Sequence, residues 1–516
     1  MVLSQYLYHL HYPIEKEVST MLENLHLENF KAFRLLDKLD IKPITILCGT
    51  NSCGKSSILQ SILLAKQTVE ARQVGQILLL NGRFTHLGMF ENIVFEKRSQ
   101  NEVTLGFSCS WKKDTIVESS DYSRFTLPIS FIIERLMPER RRRIGDSKLL
   151  FHYKVTFKLG ARRSPRTHIK PVLVTSLELS TEIELSDKQI IDGSHISLKN
   201  IHKDEYEITW ANVRSLQQKS GRSTAKVRFT NLMPYWIAVD EKGNRRRRRV
   251  SMDTWLFSEF LEHTFATYRY IGPLREEPSR RYIYEDEVTE IGLKGENAAY
   301  ICLTEYDSKI NDFYLFDNES DSFYKPTESI KLGDALKAWL NTMSINKFAP
   351  TSSYEIVYLN LESASSKNTI VNIADVGFGV SQILPIVIEG LRMPRGHTLI
   401  LEQPEIHLHP KLQMQMADYF ISLALSQKRV IVETHSDHIV NRLVRRIVED
   451  TKYNYNDLIS IYFITPTPHG SKCEKVNIDP QKGIVNWPEE FFDQTATELQ
   501  KTVQAGLNKR IPNNMR

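Results

Sequence analysis

The segment from residue 46 to residue 64, ILCGTNSCGKSSILQSILL, limits the possible folds of this chain more than any other segment. Residues 49–56 match the pattern G-x-x-x-x-G-K-[ST] in full. A short β-type apolar run precedes the match, and apolar residues at helical spacing follow it. This order predicts a buried strand, a glycine-rich loop and a helix, which together form a cradle for phosphate groups. A chance match in a Gly/Ser loop would not explain the patterns on either side.

Each residue type in this loop has a physical role toward a nucleoside triphosphate. The glycines let backbone N–H groups turn inward around phosphate oxygens, and Lys55 supplies a positive charge to the β- and γ-phosphates. The Ser56 hydroxyl is placed for Mg²⁺, and the helix N-terminus adds a partial positive charge. ATP and Mg²⁺ are therefore the predicted cofactors. The predicted binding residues in this segment are Gly49, Asn51, Gly54, Lys55, Ser56 and Ser57.

The composition excludes several classes of protein. Of the 516 residues, 41% are hydrophobic and 25% are charged, as in ordinary globular proteins. The five cysteines form no close pair, which argues against a disulfide framework and suits a reducing cytoplasm. No apolar run approaches the ~18 residues that suggest a membrane span. The N-terminus has no positive charge before its apolar stretch, so we predict a cytoplasmic protein without a signal peptide.

The order of patterns along the chain predicts a domain that is split in sequence. Residues 22–100 form its N-terminal half, and residues 346–516 return to alternating strands and helices, which indicates a parallel sheet with crossover helices. Residues 101–345 contain short β-type runs and helices and are predicted to be an inserted domain. Residues 1–21 are predicted to be a peripheral arm. The predicted fold class is α/β, a P-loop ATPase split around a β-rich and helical insertion.

A second chemical element lies in the segment TLILEQPEIHLHP, residues 398–410. Its apolar strand ends in Glu402, which we expect to hold Mg²⁺ directly or through water. Gln403 follows; it cannot act as a general base, although it can orient a water molecule. Glu405 is the alternative base. His407 and His409 are two residues apart, and without a third ligand a structural role is favoured over a metal site.

Two further segments suggest contacts to the nucleotide. In VIVETHSDHIV, His435 ends an apolar strand, and its position after the second element favours a γ-phosphate sensor over a residue with only a structural hydrogen bond. In DVGFGVSQILPIV, Gly377 and Gly379 precede Ser381 at the start of a helix. Gly379 and Ser381 are predicted to face phosphate and to complete the site of a neighbouring protomer.

These four elements together resemble the ATP-binding-cassette branch of P-loop ATPases, which includes the SMC-like chromosome-maintenance and double-strand-break-repair ATPases. The segment LHLENFKAF is similar to the first strand of that group, which implies that Asn29 lies near the adenine. This resemblance implies a head-to-head dimer in which Gly379 and Ser381 of one protomer close over ATP–Mg²⁺ of the other.

LEQPEIHLHP and ETHSDHIVNRL resemble a narrower group. They are similar to bacterial AAA-type ATPases related to the overcoming-lysogenization-defect proteins and to the ATPase subunits of anti-phage systems such as Septu and some retrons. This implies a role in defence with a partner nuclease, expected to be of the HNH type. The resemblance covers residues 22–100 and 350–500 well. This chain departs from it in two respects: Gln403 replaces the expected base, and HLGMFENIVFE lacks the Gln expected between the first helix and the insertion.

The charge is unevenly distributed. The net charge is +5, yet residues 131–170 hold twelve Lys or Arg against three Asp or Glu. Two arginine runs are predicted to contact DNA or RNA without reading its sequence; a solvated loop and an acidic face of another subunit remain alternatives. The runs are Arg140, Arg141, Arg142 and Arg143, and Arg245, Arg246, Arg247, Arg248 and Arg249.

The predicted function is that of a slow ATPase whose nucleotide state controls assembly and a partner nuclease in bacterial defence. About eighty residues follow His435 and contain no evident two-metal nuclease cluster, so another chain is expected to cut any nucleic acid. One alternative is a DNA-repair or chromosome-maintenance ATPase that acts on DNA itself. Another is a scaffold that binds nucleotide without hydrolysing it.

Overall fold

A computed structural model of the chain describes residues 20–71, 76–112, 148–160, 170–185, 189–211, 220–241, 244–248, 252–283, 288–311, 313–363, 366, 368–486 and 494–510. The predicted arm, apart from its last two residues, lies outside the described residues, and so does the arginine run at 140–143. Of the second arginine run, residues 245–248 are described and Arg249 is not. None of the helices in the described ranges is long and apolar enough to cross a membrane.

The strands in chain order are β1 (Thr20–Phe30), β2 (Phe33–Asp40), β3 (Ile44–Gly49), β4 (Val103–Lys112), β5 (Lys148–Leu159), β6 (Val172–Glu184), β7 (Ile190–His202), β8 (Glu205–Ala211), β9 (Ser220–Thr230), β10 (Met233–Glu241), β11 (Asn244–Arg248), β12 (Tyr268–Ile271), β13 (Tyr282–Ile283), β14 (Lys309–Ile310), β15 (Leu315–Asp317), β16 (Ser322–Tyr324), β17 (Ile330–Lys331), β18 (Ala349–Ser353), β19 (Ile356–Glu362), β20 (Ile370–Asn372), β21 (Thr398–Glu402), β22 (Arg429–Glu433), β23 (Ile459–Thr465), β24 (Lys472–Lys475), β25 (Ile478–Asp479) and β26 (Gly483–Ile484). The α-helices are α1 (Lys55–Val69), α2 (Met252–Ala266), α3 (Ala298–Thr304), α4 (Leu332–Thr342), α5 (Phe378–Arg392), α6 (Pro410–Leu425), α7 (Asp437–Glu449), α8 (Tyr455–Leu458) and α9 (Gln494–Arg510).

A six-stranded sheet carries the phosphate loop. Its strand order is β12-β21-β22-β3-β23-β24, and every neighbouring pair is parallel except β23 with β24. The loop leaves the carboxyl end of β3 and enters α1. Because β21 and β22 run parallel to β3, their carboxyl ends lie at the same edge as the loop. The α/β organisation predicted from the two halves of the sequence is therefore confirmed.

The central strands of this sheet are buried on both faces. Leu47, Ile400 and Ile431 belong to the core that also contains α1 and α2. Their immediate neighbours along the strands, such as Ile46 and Leu401, belong to the second core, with α5, α6 and α7. Two-sided burial explains why these strands are continuous apolar runs rather than alternating ones.

A ten-stranded antiparallel sheet lies over the first core. Its order is β11-β10-β9-β8-β7-β6-β5-β4-β1-β2. Side chains along β5 alternate between buried and partly exposed positions, as expected for a sheet with one covered face. The middle region is thus rich in strands, and its strand β4 pairs directly with β1 of the N-terminal half. The arginine run at 245–248 forms β11, the edge strand.

Strand β12 brings part of the middle region into the ATPase sheet. It follows α2 and pairs in parallel with β21, with Tyr270 opposite Ile400 in the register. This placement puts residues just after residue 268 beside the strand that ends in Glu402.

Charged side chains join the β15–β16 hairpin to α6 and α7. Asp418 on α6 is fully buried and accepts hydrogen bonds from Arg442 and Arg446 of α7. The same two arginines reach Asp321 in the hairpin turn. Each buried charge therefore has partners of the opposite sign, which is the condition for burying it.

Candidate nucleotide-binding site

Two glycines give the phosphate loop its shape. Gly49 has a φ of +143° and Gly54 a φ of +101°, values that residues with a side chain rarely adopt. A Cβ on Gly49 would collide with the carbonyl oxygen of Ile464, and one on Gly54 would lie 2.7 Å from Cβ of Ala32. The loop can therefore follow this path only with glycine at both positions.

Lys55 begins α1 and lies inside the curve of the loop. Its side chain is 3% exposed, and Nζ donates to the carbonyl oxygens of Gly49 at 3.1 Å and Thr50 at 2.7 Å. These carbonyls belong to the loop itself, so phosphate oxygens would compete for the same ammonium protons. Asn51 is exposed at the tip of the loop, whereas Ser57 is buried in the first turn of α1.

Ser56 makes a direct contact with β22. Its Oγ donates a hydrogen bond to Oε1 of Glu433 at 2.9 Å. Glu433 is the last residue of β22, next to β3, and it lies opposite Glu402 in the register of β22 with β21. Glu433 is not among the site residues predicted from the sequence. The available signal was a carboxylate at the end of the otherwise apolar strand VIV.

Glu402 is held from both sides by residues of the middle region. Its Oε1 accepts a hydrogen bond from the hydroxyl of Tyr270 at 2.9 Å. Arg275, which is only 5% exposed, donates from Nη2 to the main-chain oxygen of Glu402 at 2.9 Å and to that of Gln403 at 3.3 Å. Tyr270 and Arg275 are not among the site residues predicted from the sequence, because no local pattern reveals that β12 pairs with β21.

Three carboxylates share this poorly solvated edge of the sheet. Burial raises the pKa of Glu402, Glu405 and Glu433 above the usual range of a glutamate. The pKa of Glu433 is raised to about 7, first by burial and then by the negative charge of Glu402. Three buried carboxylates at one edge of the sheet form an environment that a metal ion or another cation can stabilise.

Gln403 and Glu405 have different surroundings. Gln403 has a φ of +44°, and its N–H donates to the main-chain oxygen of Glu433 at 2.7 Å. Both carboxylate oxygens of Glu405 accept hydrogen bonds, from the N–H of His435 at 2.7 Å and from Oγ1 of Thr434 at 2.8 Å. Glu405 thus ties together the loops that follow β21 and β22, with one hydrogen bond on each of its oxygens.

His435 is half-buried near the phosphate loop. Burial lowers its pKa, and the positive charge of Lys55 lowers it further. A neutral imidazole can donate one hydrogen bond and accept another, as a sensor of a phosphate or of an attacking water requires.

The segment with Gly379 and Ser381 starts α5 and contacts the loop after Glu402. Oγ of Ser381 donates to the main-chain oxygen of Phe378 at 2.8 Å, and the Phe378 ring lies 5.8 Å from the ring of His407. Phe378 is 48% exposed. Among the described residues, no hydrogen bond joins this segment to the phosphate loop of the same protomer.

His409 and Asn29 both have local partners. Nδ1 of His409 accepts from the N–H of Lys411 at 3.3 Å and caps α6. Asn29 donates from Nδ2 to the main-chain oxygen of Glu102 at 3.1 Å. It also lines a cleft of about 910 Å³ together with Ser471, whose Oγ would lie 3.2 Å from a Cβ on Gly54. A cleft of this size beside the phosphate loop can accommodate a nucleoside.

The residues present suit a nucleotide with a divalent cation. Mg²⁺ in such sites takes one or two carboxylates, a hydroxyl and substrate phosphates rather than an all-protein cage. Ser56 offers the hydroxyl, and Glu402 and Glu433 offer carboxylates. Within the described ranges, Oε2 of Glu433 is buried and has no hydrogen-bond partner. In the described part of the chain, no group of three or more His, Cys, Asp or Glu side chains could hold a metal ion, so a cation here would need phosphate oxygens among its ligands.

Comparisons with solved structures give low similarity. The SMC head bound to the C-winged helix domain of ScpA has 9% identity and a TM-score of 0.36, with 89% of this chain and 98% of that chain covered. The SMC head domain of Thermotoga maritima has 9% identity and a TM-score of 0.33, with 89% and 100% covered. A Pyrococcus furiosus SMC head with an extended coiled coil, bound to the C-terminal domain of ScpA, has 9% identity and a TM-score of 0.35, with 94% and 100% covered.

Comparisons of sequence are more informative. No curated protein matches the chain. A family of unknown function (DUF3696) matches residues 455–501. The AAA ATPase domain matches residues 21–221 and 282–440, two blocks that together cover more than half of the chain. Both blocks contain site residues, the phosphate loop in the first and Glu402, Glu433 and His435 in the second. The chain therefore belongs to the AAA ATPase domain family.

Proposed function

We propose that this chain is a slow ATPase that acts mainly by holding ATP–Mg²⁺ between two protomers. Gly49, Gly54 and Lys55 bind the phosphates, while Ser56 and Glu402 hold Mg²⁺, which supplies charge neutralisation of the phosphates when bound. His435 contacts the γ-phosphate end. Gly379 and Ser381 of the second protomer close over the nucleotide.

The surroundings of Gln403 and Glu405 carry the proposal of slow turnover. Gln403 has an amide that cannot accept a proton from an attacking water at neutral pH. Glu405 could accept one, yet Oγ1 of Thr434 and the N–H of His435 hold its carboxylate toward the loop after β22. Gln403, at the position expected for the base, therefore supports slow turnover, and the ATP-bound state is expected to persist.

The exposed start of α5 supports a site that two protomers share. Phe378 is 48% exposed, and its segment contacts the loop of His407 rather than its own phosphate loop. Gly377 and Phe378 are exposed at this helix N-terminus, which can bind the phosphates of a second molecule, whereas Ser381 is buried in the first turn.

Nucleotide binding and assembly test this function together. The full chain is mixed with ATP–Mg²⁺, and its mass is measured by light scattering while turnover is measured by phosphate release. We expect ATP to produce a dimer or higher oligomer and turnover to stay below about 1 s⁻¹, the low end of the usual enzyme range. Lys55→Ala should abolish both binding and assembly. Faster turnover, or assembly that ignores ATP, would contradict the proposal.

We also propose that nucleotide state controls a partner nuclease in bacterial anti-phage defence, in the cytoplasm. The resemblance of LEQPEIHLHP and ETHSDHIVNRL to defence ATPases supports this part. Co-expression with an HNH-type nuclease encoded nearby should give a complex whose cutting of DNA depends on ATP and is lost with Lys55→Ala. Cutting that is indifferent to ATP would count against it.

A second candidate function is direct action on DNA, as in repair or chromosome maintenance. The observation that favours it is β11, which places Arg245, Arg246, Arg247 and Arg248 in succession on an edge strand. Arginine rows neutralise phosphates and release counterions, so binding should weaken steeply with salt. DNA-stimulated ATP hydrolysis without any nuclease partner would support this function over the first. Binding without hydrolysis would instead indicate the scaffold.

A further inference from the structure

Glu433 connects the end of β22 to the start of α1. Within the described residues, only one of its two carboxylate oxygens accepts a hydrogen bond. Oε1 accepts the hydrogen bond from Ser56, and the side chain is only 4% exposed. Oε2 is buried and has no hydrogen-bond partner among the residues that the structure describes. Buried polar atoms are nearly always paired in folded proteins, so an unpaired carboxylate oxygen indicates a partner that arrives with a ligand.

We propose that Glu433 is a second carboxylate of the cation site, with Oε1 holding the Ser56 hydroxyl and Oε2 facing the divalent cation that accompanies the nucleotide. This inference rests on the proposed ATP–Mg²⁺ function. It adds to that site a residue of β22, which lies outside both the phosphate loop and β21. Because the Ser56 hydroxyl donates its hydrogen bond to Glu433, the lone pairs of the Ser56 oxygen are left for the cation.

The charges around Glu433 also favour a divalent cation as the partner of its Oε2. Glu402 lies opposite Glu433 in the strand register, and Glu405 adds a third carboxylate. Two cations lie nearby, but Arg275 donates to the main-chain oxygens of Glu402 and Gln403, and Lys55 to those of Gly49 and Thr50. A divalent cation would balance the remaining negative charge, and two carboxylates with a hydroxyl and phosphates are a common Mg²⁺ environment.

A purely structural role for Glu433 makes a different prediction. Glu433 would then only hold Ser56 and the first turn of α1. The amide oxygen of glutamine can accept the same hydrogen bond from Ser56 but carries no charge. Glu433→Gln therefore keeps the contact with Ser56 and removes the carboxylate that the cation needs.

The test compares nucleotide affinity with and without the cation in the full-length chain. A fluorescent ATP analogue is titrated in Mg²⁺ and in EDTA, and the ratio of the two dissociation constants is the readout. Glu433→Gln is expected to reduce the Mg²⁺ enhancement about tenfold or more, the usual cost of losing a residue that supports a metal. Affinity in EDTA should be unchanged or tighter, since a negative charge near the phosphates is gone.

Two further variants make the comparison specific. Glu474→Gln on β24 controls for replacing a glutamate by a glutamine away from Glu433. The Glu474 side chain is 43% exposed and pairs with Lys472. Ser56→Ala, Glu433→Gln and the variant that carries both changes form a double-mutant cycle. If both residues act on one cation, the losses in the double variant should not add. With Mn²⁺ in place of Mg²⁺, the electron paramagnetic resonance signal of bound Mn²⁺ should also diminish in Glu433→Gln.

The outcomes separate this inference from the function on which it rests. A wild-type Mg²⁺ enhancement in Glu433→Gln overturns the inference and leaves the ATPase intact. Equal losses of nucleotide affinity in Mg²⁺ and in EDTA also overturn it, because they show that Glu433 only stabilises the structure of the phosphate loop. A wild-type chain that binds no nucleotide in either buffer removes the proposed function itself.

Discussion

Tyr270 donates its hydroxyl to Oε1 of Glu402 at 2.9 Å, so a strand from the middle of the chain holds a carboxylate of the candidate nucleotide site. The hydrogen bond favours the charged form of Glu402, whose pKa is raised by burial. The middle region therefore contributes to the electrostatics of the candidate nucleotide site.

The first prediction concerns this contact. Tyr270→Phe removes the donor and leaves the ring, so Glu402 should protonate more readily and bind Mg²⁺ less well. We expect the apparent Mg²⁺ affinity in the presence of ATP to fall about tenfold. The measurement is a Mg²⁺ titration of ATP binding at pH 7 and again at pH 8.5, where the loss should shrink. A loss of the same size at both pH values would contradict this explanation.

A second prediction follows from the pKa of Glu433, which is raised to about 7 in the folded chain. Because the folded state favours the protonated form, it binds more protons than the unfolded state between roughly pH 4.5 and 7. Stability without nucleotide should therefore fall as pH rises through this window, by about 3 kcal/mol at most from this group. Above pH 7 the contribution is constant.

Thermal unfolding of the nucleotide-free chain from pH 5 to pH 8 checks this sign. Glu433→Gln cannot titrate, so its unfolding temperature should depend less on pH than that of the wild type. The pKa values of Glu402 and Glu405 are also raised, and they leave a residual slope in the same direction. An identical slope in both proteins would show that Glu433 is already charged below pH 7.

Gln403 is the subject of a third prediction. Gln403→Glu places a possible general base directly after Glu402, at a backbone that stays anchored by the hydrogen bond from its N–H to the main-chain oxygen of Glu433. General-base catalysis contributes about 10²–10⁴-fold, so turnover should rise by at least tenfold even with imperfect geometry. Phosphate release under saturating ATP measures this. Gln403→Ala is the control and should not accelerate hydrolysis.

The fourth prediction tests the charged network of α6 and α7. Asp418 is fully buried and binds Arg442 and Arg446, so Asp418→Asn leaves two cations with less compensation. The expected loss of unfolding free energy is about 3–5 kcal/mol. Urea denaturation measures it. Glu498→Gln, which breaks an exposed pair with Lys501 on α9, should cost no more than about 0.5 kcal/mol.

Several features of the site follow from the sequence because each depends on local patterns. The run ITIL, the glycine loop and the helix after Lys55 are short-range signals, and so are the buried strands that end before Glu402 and His435. The presence of a parallel sheet follows from their alternation. The same reasoning places the β-rich middle region, whose side chains alternate along strands such as β5.

Other features depend on which strands become neighbours, and no local pattern contains that information. Glu433 meets Ser56 only because β22 lies beside β3, and Tyr270 meets Glu402 only because β12 lies beside β21. Glu405 was predicted as an alternative base on its spacing alone. The bonds from Thr434 and His435 to its oxygens come from another strand. The assigned roles of the site residues stay predictions until nucleotide binding is measured.

The parallel pairing of β12 with β21 has a practical consequence for protein engineering. A chimera that exchanges the middle region of this chain for that of a relative would transplant the strand next to Glu402 together with Tyr270 and Arg275. Grafting junctions are therefore better placed before residue 268, so that β12 travels with the segment that carries β21 and β22. Designs cut later would combine the candidate nucleotide site of one parent with the neighbouring strand of another.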